Sequence, residues 1–144
     1  MVQQTLLALK AYPIVRTTGC LIDQSTNQYC YLEAAHSQNP YESYLYLLPL
    51  GLSLPNDTTP SCSACSRTVL NVYAEALQTP NSSSDGLKDT YNLAASQAEE
   101  SCGSGFAQTG LASGAPKSQI MGFKVEDGWG LVVLSLWMGI LLVL

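Results

Sequence analysis

The chain has 144 residues, of which 47% are hydrophobic and 12% charged, with a formal net charge of −5, five cysteines and one histidine. That length suits one compact domain with tails and excludes a two-domain enzyme with a separate cofactor fold. Six scattered Lys and Arg residues, none adjacent to another, cannot neutralise a row of phosphates, so nucleic-acid binding is set aside, and the apolar content excludes an acidic disordered chain.

In chain order, residues 1–15 (MVQQTLLALKAYPIV) lack a basic start, and Lys10 interrupts the apolar run, so the segment reads poorly as a secretory leader. It reads as a helix with Leu6, Leu9 and Pro13 on one side and Gln3, Gln4 and Lys10 toward water, ended by Pro13. A lipoprotein signal closing at Gly19-Cys20 is disfavoured by Thr17, which stands where a branched apolar residue belongs. Because the chain carries an anchor-like tail and no leader, it is expected to be a fragment of a longer secreted precursor.

A short helix is expected over residues 24–35, ended by Asn39-Pro40. Tyr41, Tyr44, Leu45 and Leu48 then fall at i, i+3, i+4 and i+7, one apolar helix face, until Pro49 and Gly51 stop it. Tyr41 and Tyr44 are expected to pack inward. Tyr46 is weighed as an exposed carbohydrate or protein contact against the ordinary core role of an aromatic at helical spacing. Residues 50–60 read as loop and hold the N-glycosylation sequon Asn56-Asp57-Thr58.

The strongest element begins at Ser61, an N-cap residue, and runs through Cys62, Cys65, Val69, Val72, Tyr73 and Ala76 to about Gln78, with Pro80 after it. A linker over residues 81–86 carries the second sequon, Asn81-Ser82-Ser83. The next helix sets Leu87, Tyr91, Ala94, Ala95, Ala98 and Cys102 on its inner side and ends at Gly103. The two form an antiparallel hairpin, and counting back from its turn brings Cys102 level with Cys62 or Cys65.

From Gly103 the chain is rich in Gly, Ser and Ala and reads as a flexible stalk. Residues 130–144 (GLVVLSLWMGILLVL) are uncharged to the last residue. As a helix they would span roughly 22 Å, short of a bilayer core of ~30 Å. Small residues Ser113-Gly114-Ala115, the mostly polar spacer over 116–128 and the apolar end together match a glycosylphosphatidylinositol (GPI) signal, with Ser113 as the expected attachment residue and Gly110 and Ala112 as alternatives. The chain therefore divides into a helical ectodomain over 1–107, a stalk and spacer over 108–128 and a hydrophobic tail over 129–144.

Cys20, Cys30, Cys62, Cys65 and Cys102 suit an oxidising compartment. Cys20 and Cys30 flank a short loop and are expected to pair locally, while Cys102 pairs with Cys62 or Cys65, leaving one thiol for an intermolecular bridge or a partner outside this chain. Cys62-Ser63-Ala64-Cys65 at a helix start invites a dithiol redox reading, but the strand that precedes such motifs is missing. Cys62, Cys65, Cys102 and His36 have zinc-donor chemistry without a second close-spaced ligand pair, and His36 is expected at the surface. There is no GxSxG or HExxH, and Glu99 and Glu100 are adjacent on a helix and read as solvated charges. No catalytic residue, metal or cofactor is assigned.

Gly19-Cys20-Leu21, Tyr29-Cys30-Tyr31, the run from Tyr44 to Gly51 (YLYLLPLG), the run from Pro60 to Cys65 (PSCSAC), and Cys102-Gly103 with Phe106 together resemble a family of fungal secreted, GPI-anchored-type proteins whose domain has no assigned function. The resemblance covers roughly residues 1–107. Members of that family look longer at the N-terminus, with a signal peptide and further cysteine-bearing helices. The resemblance implies location and architecture and carries over no catalytic residue. The sequence thus predicts an all-α, disulfide-stabilised surface glycoprotein with a structural or binding role, held at the outer membrane face or cell wall and meeting carbohydrate or surface protein. The alternatives are a tail-anchored or single-pass membrane protein and an enzyme of unknown type.

Overall fold

A computed structural model describes residues 2–56, 58–79 and 82–111, all within one compact unit, Met1–Gly114. Five α-helices follow one another: α1 (Val2–Gly19), α2 (Cys30–His36), α3 (Pro40–Leu45), α4 (Ala64–Gln78) and α5 (Asp85–Cys102), with 3₁₀ turns at Leu48–Leu50 and Ser82–Ser84. No strand occurs among the described residues, only the isolated bridge Ile22 to Tyr29. The all-α class read from the helical periodicity is therefore what the described residues adopt.

Helix α1 departs from its expected form in two ways. Pro13 lies inside it, and the helix continues to Gly19. Proline withdraws the donor owed to the Leu9 carbonyl, but Leu9 is on the solvent side, where water takes that carbonyl and the cost of the proline stays local. The buried face is Ala11, Ile14 and Thr18, not Leu6, Leu9 and Pro13, all of which are exposed. Thr18 joins the core because its hydroxyl donates to the Ile14 carbonyl at 3.0 Å, which satisfies it internally.

Residues 24–29 are not helical, so α2 starts six residues later than its expected start at Gln24. The Asp23 carboxylate competes with the helix: it accepts the Ser25 amide at 2.7 Å and the Ser25 hydroxyl at 2.6 Å, and Asn27 turns the chain at φ +57°. These bonds hold the Asp23 carboxyl below its ordinary pKa. Asn39 does not merely end α2; its side chain accepts the Tyr41 amide at 3.1 Å and caps α3, with Pro40 at the first position. The cap of α4 is Ser63 and not Ser61, since Ser63 Oγ accepts the Ser66 amide at 3.0 Å, whereas the Ser61 hydroxyl donates to Glu42 Oε1 at 2.7 Å.

The core is built on three fully buried tyrosines, Tyr41, Tyr73 and Tyr91, packed with Leu45, Leu48, Leu70 and Leu87. Ala94, Ala95 and Ala98 on α5 are buried, and their small side chains let α5 come close to α4. Lys10 on α1 and Lys88 both pair with Asp85 at the start of α5, at 3.3 and 2.7 Å, which lowers the Asp85 pKa. The segment read as the beginning of a stalk packs back onto this core: Phe106 and Ala107 are buried, Arg67 lies 4.9 Å over the Phe106 ring, and the Gly110 amide donates to Asn92 Oδ1 at 3.1 Å. Gly and Ser content alone underestimated the domain there, because one aromatic anchors the segment.

The three tyrosines differ in what their hydroxyls do. Tyr73 donates to the buried Leu45 carbonyl at 3.0 Å and Tyr91 to the Gln108 carbonyl at 2.7 Å, whereas the buried Tyr41 hydroxyl has no partner among the described residues. Burial raises all three phenol pKa values, that of Tyr91 to about 12. Tyr73→Phe is expected to destabilise by about 1 to 2 kcal/mol, because it strands a buried carbonyl at a helix end. Tyr41→Phe removes an unsatisfied group and should be neutral or stabilising by up to about 1 kcal/mol. Urea unfolding of the two variants beside the parent checks the opposite signs; equal losses would show that the Tyr41 hydroxyl has a partner in solution.

Candidate functional site

The five cysteines resolve into Cys30–Cys65, Cys62–Cys102 and a free, exposed Cys20. Cys62 is thus the half of the motif that reaches Cys102 across the hairpin. The expected local pair Cys20–Cys30 does not form. Cys30 opens α2 with its side chain in the core and meets Cys65 in the first turn of α4, while Cys20 follows α1 on the outer surface. Proximity in sequence was a poor guide because the turn over 21–29 sends the two side chains to different sides.

Around the Cys30–Cys65 bridge lies a cavity of about 90 Å³ lined by Glu33, Glu42, Tyr46, Ser63 and Ser66 together with both sulfurs' residues. Helix α2 supplies Glu33, α3 supplies Glu42, and the capping turn of α4 supplies the two serines. Tyr46 forms the wall, buried and edge-on to Tyr31 with ring centroids 5.1 Å apart. It is a core residue and not an exposed contact. Its burial, with Glu42 and Glu33 nearby, pushes its hydroxyl well above the ordinary phenol pKa.

Two carboxylates border the bridge itself. Asp23 Oδ2 lies 3.7 Å and Glu33 Oε2 3.5 Å from Cys65 Sγ, and Thr26 Oγ1 donates to the other Glu33 oxygen. Asp23, Glu33 and Cys65 are close enough for one ion to touch all three. Cys65 Sγ, however, is bonded to Cys30 and cannot present the thiolate that a zinc ion prefers. The Ser63 and Ser66 hydroxyls bond each other at 3.0 Å as part of the α4 cap, so neither is poised as a nucleophile. What the arrangement can do chemically is shield a disulfide: negative charge beside Cys65 disfavours both an approaching thiolate and a departing one. No sequence signal marks this grouping, since Asp23 and Glu33 are 42 and 32 residues from Cys65.

The remaining expected site residues fall apart. The two sulfurs of Cys62-Ser63-Ala64-Cys65 go to different partners, so the motif is not a dithiol pair and cannot join Cys102 and His36 in one zinc set. His36 is exposed at the end of α2. Glu99 accepts the Gly105 amide at 2.9 Å and helps turn the chain after α5. Asn56 is exposed in a turn, with the Thr58 hydroxyl bonded to the Pro55 carbonyl at 2.8 Å. Asn81, Ser113 and the tail over 129–144 lie outside the described residues.

A family model described as a domain of unknown function, DUF7729, matches residues 1–111. No curated protein and no solved structure matches the chain. The matched span ends at the last described residue, Leu111, which packs against the core.

Proposed function

We propose that this chain, which belongs to the DUF7729 family, is a GPI-anchored surface glycoprotein of a fungal cell membrane or wall, with a structural or binding role and no catalytic one. The observation that carries the reading is the pair of bridges, the buried Cys30–Cys65 and the more exposed Cys62–Cys102, which span 35 and 40 residues. Bridges that close such long loops in so small a core belong to proteins matured in an oxidising compartment. The exposed Asn56 supports the same route, because a lumenal glycosyltransferase needs its acceptor on an accessible turn. Among the described residues no helix is long and apolar enough to cross a membrane. In this reading attachment falls to the tail over 129–144, replaced by lipid at Ser113.

The test is release. The full-length precursor expressed in a fungal host should be freed from membranes by phosphatidylinositol-specific phospholipase C, without residues 130–144, and should gain mobility on glycosidase digestion. A membrane-retained, unglycosylated chain with its tail intact would replace this reading with a tail-anchored protein facing the cytosol.

A further inference from the structure

The large hydrophobic side chains left exposed among the described residues are not scattered. Eight of ten lie between Val2 and Leu32, and on α1 three of them, Val2, Leu6 and Leu9, continue into a line of exposed residues that Tyr12 flanks. Val2, Leu6, Leu9, Pro13, Arg16 and Cys20 are spaced 4, 3, 4, 3 and 4 apart and are all exposed, so at 3.6 residues per turn they share an arc of roughly 80°. This is the a/d spacing of a helix-pairing seam. Cys20 stands just past the end of α1, but its amide still bonds the Arg16 carbonyl at 3.2 Å, which keeps it in helical register. It is the one thiol left over after both bridges form, and with Tyr12, Pro13, Arg16 and Thr17 it lines a shallow groove on the same face.

We infer that the occupant of this seam is a second copy of the chain, joined through a Cys20–Cys20 disulfide with the two α1 helices parallel and in register. Only that arrangement keeps the stripes in contact while the two sulfurs meet. With axes ~10 Å apart and Cα atoms ~2.3 Å from each axis, facing Cα atoms fall within the ~4.4–6.8 Å that a disulfide needs. The area explains why a bridge is required. Val2, Leu6, Leu9 and Tyr12 are 84%, 51%, 69% and 61% exposed, which leaves roughly 400–500 Å² of side chain per copy, against about 800 Å² per partner in a stable non-covalent interface. Apolar contact therefore aligns the copies, and the covalent bond holds them.

The bond forms by exchange with a small-molecule disulfide such as oxidised glutathione. The Cys20 thiolate of one copy attacks it and expels one glutathione thiolate; the Cys20 thiolate of the second copy attacks the protein sulfur of that mixed disulfide and expels the other. Two protein thiols are oxidised to one disulfide, one glutathione disulfide is reduced to two thiols, and each proton passes through solvent. The inference needs the oxidising environment that the two internal bridges imply and is independent of how the chain is anchored.

Two differently tagged full-length copies should be co-expressed through the secretory pathway, alkylated at harvest and run on non-reducing gels, with mass spectrometry of the linked peptide. The expected result is a mixed-tag dimer carrying a Cys20–Cys20 peptide, absent in Cys20→Ser. In a glutathione buffer, Leu6→Gln/Leu9→Gln should slow dimer formation by on the order of tenfold with unchanged thermal unfolding, because both side chains are on the solvent side. Arg16→Leu should accelerate it by a similar ~tenfold factor, since the like charges at that seam position are removed. A chain that stays monomeric, a dimer whose rate ignores the leucines, or Cys20 found bridged to a different polypeptide or to another segment of its own chain would each overturn the inference.

Discussion

Replacing Cys30 and Cys65 together by alanine is expected to cost about 3 to 4 kcal/mol of stability, whereas Cys20→Ser should cost close to nothing. The large value follows from the loop the bridge closes, 35 residues, which in the unfolded chain would otherwise be free to sample open conformations. It is a large share of the ~5–15 kcal/mol that holds a domain of this size. Position adds to it: Cys30 is the first residue of α2 and Cys65 sits in the first turn of α4, so without the bond α2, only seven residues long, keeps few ties to the hairpin. A helix that short has little stability of its own. The measurement is urea unfolding of the full chain followed by helical circular dichroism, with an expected midpoint shift of about 2 M for the double variant. If Cys20→Ser produced the large loss instead, the bridge in solution would be the local Cys20–Cys30 pair and the arrangement around Glu33 would be wrong.

Gly86→Ala is expected to destabilise by about 3 kcal/mol, although alanine is the better helix former by about 1 kcal/mol. Gly86 is buried in the first turn of α5, where that helix crosses the 3₁₀ turn Leu48–Leu50. An added Cβ would stand 2.1 Å from the Pro49 carbonyl oxygen and 2.8 Å from the Gly51 amide nitrogen. Both obstacles are backbone, so no side chain can swing aside; α5 and the turn must separate. Separation also loosens the Thr90 hydroxyl, which donates to the Leu48 carbonyl at 2.9 Å and ties the same two elements. Gly103→Ala is the informative control. It carries a φ of +95° but meets nothing within 4 Å, so its loss should be backbone strain alone, on the order of 1 kcal/mol. Thermal or urea unfolding of the two variants ranks them, and a Gly86→Ala no worse than Gly103→Ala would show that α5 does not approach the turn this closely.

Helical periodicity was enough to place the described residues in the all-α class and to draw their central hairpin. Val69 and Tyr73 on α4 and Leu87, Tyr91, Ala94 and Ala98 on α5 recur at helical spacing and are all buried, and a single antiparallel turn between them brings Cys102 to Cys62. Periodicity is a local property of the chain, so it is legible without coordinates. Boundaries were less so. Competing side-chain bonds, Ser25 to Asp23 before α2 and Ser61 to Glu42 before α4, moved both starts; the first is local, and the second joins residues 19 apart.

Tertiary structure alone decided what touches what. It turned α1 so that Ala11, Ile14 and Thr18 face the core and Leu6 and Leu9 face out, a choice that hydrophobicity opposes because the larger side chains are the ones left uncovered. It also drew Gly86 out of an apparent linker into a buried helix turn, and brought Asp23 and Glu33 beside Cys65. The choice of Cys65 over Cys20 as the partner of Cys30 has the same origin. A disulfide needs two Cα atoms within ~7 Å and side chains aimed at each other. Distance along the chain specifies neither, and the tertiary arrangement that brings the start of α2 to the start of α4 specifies both.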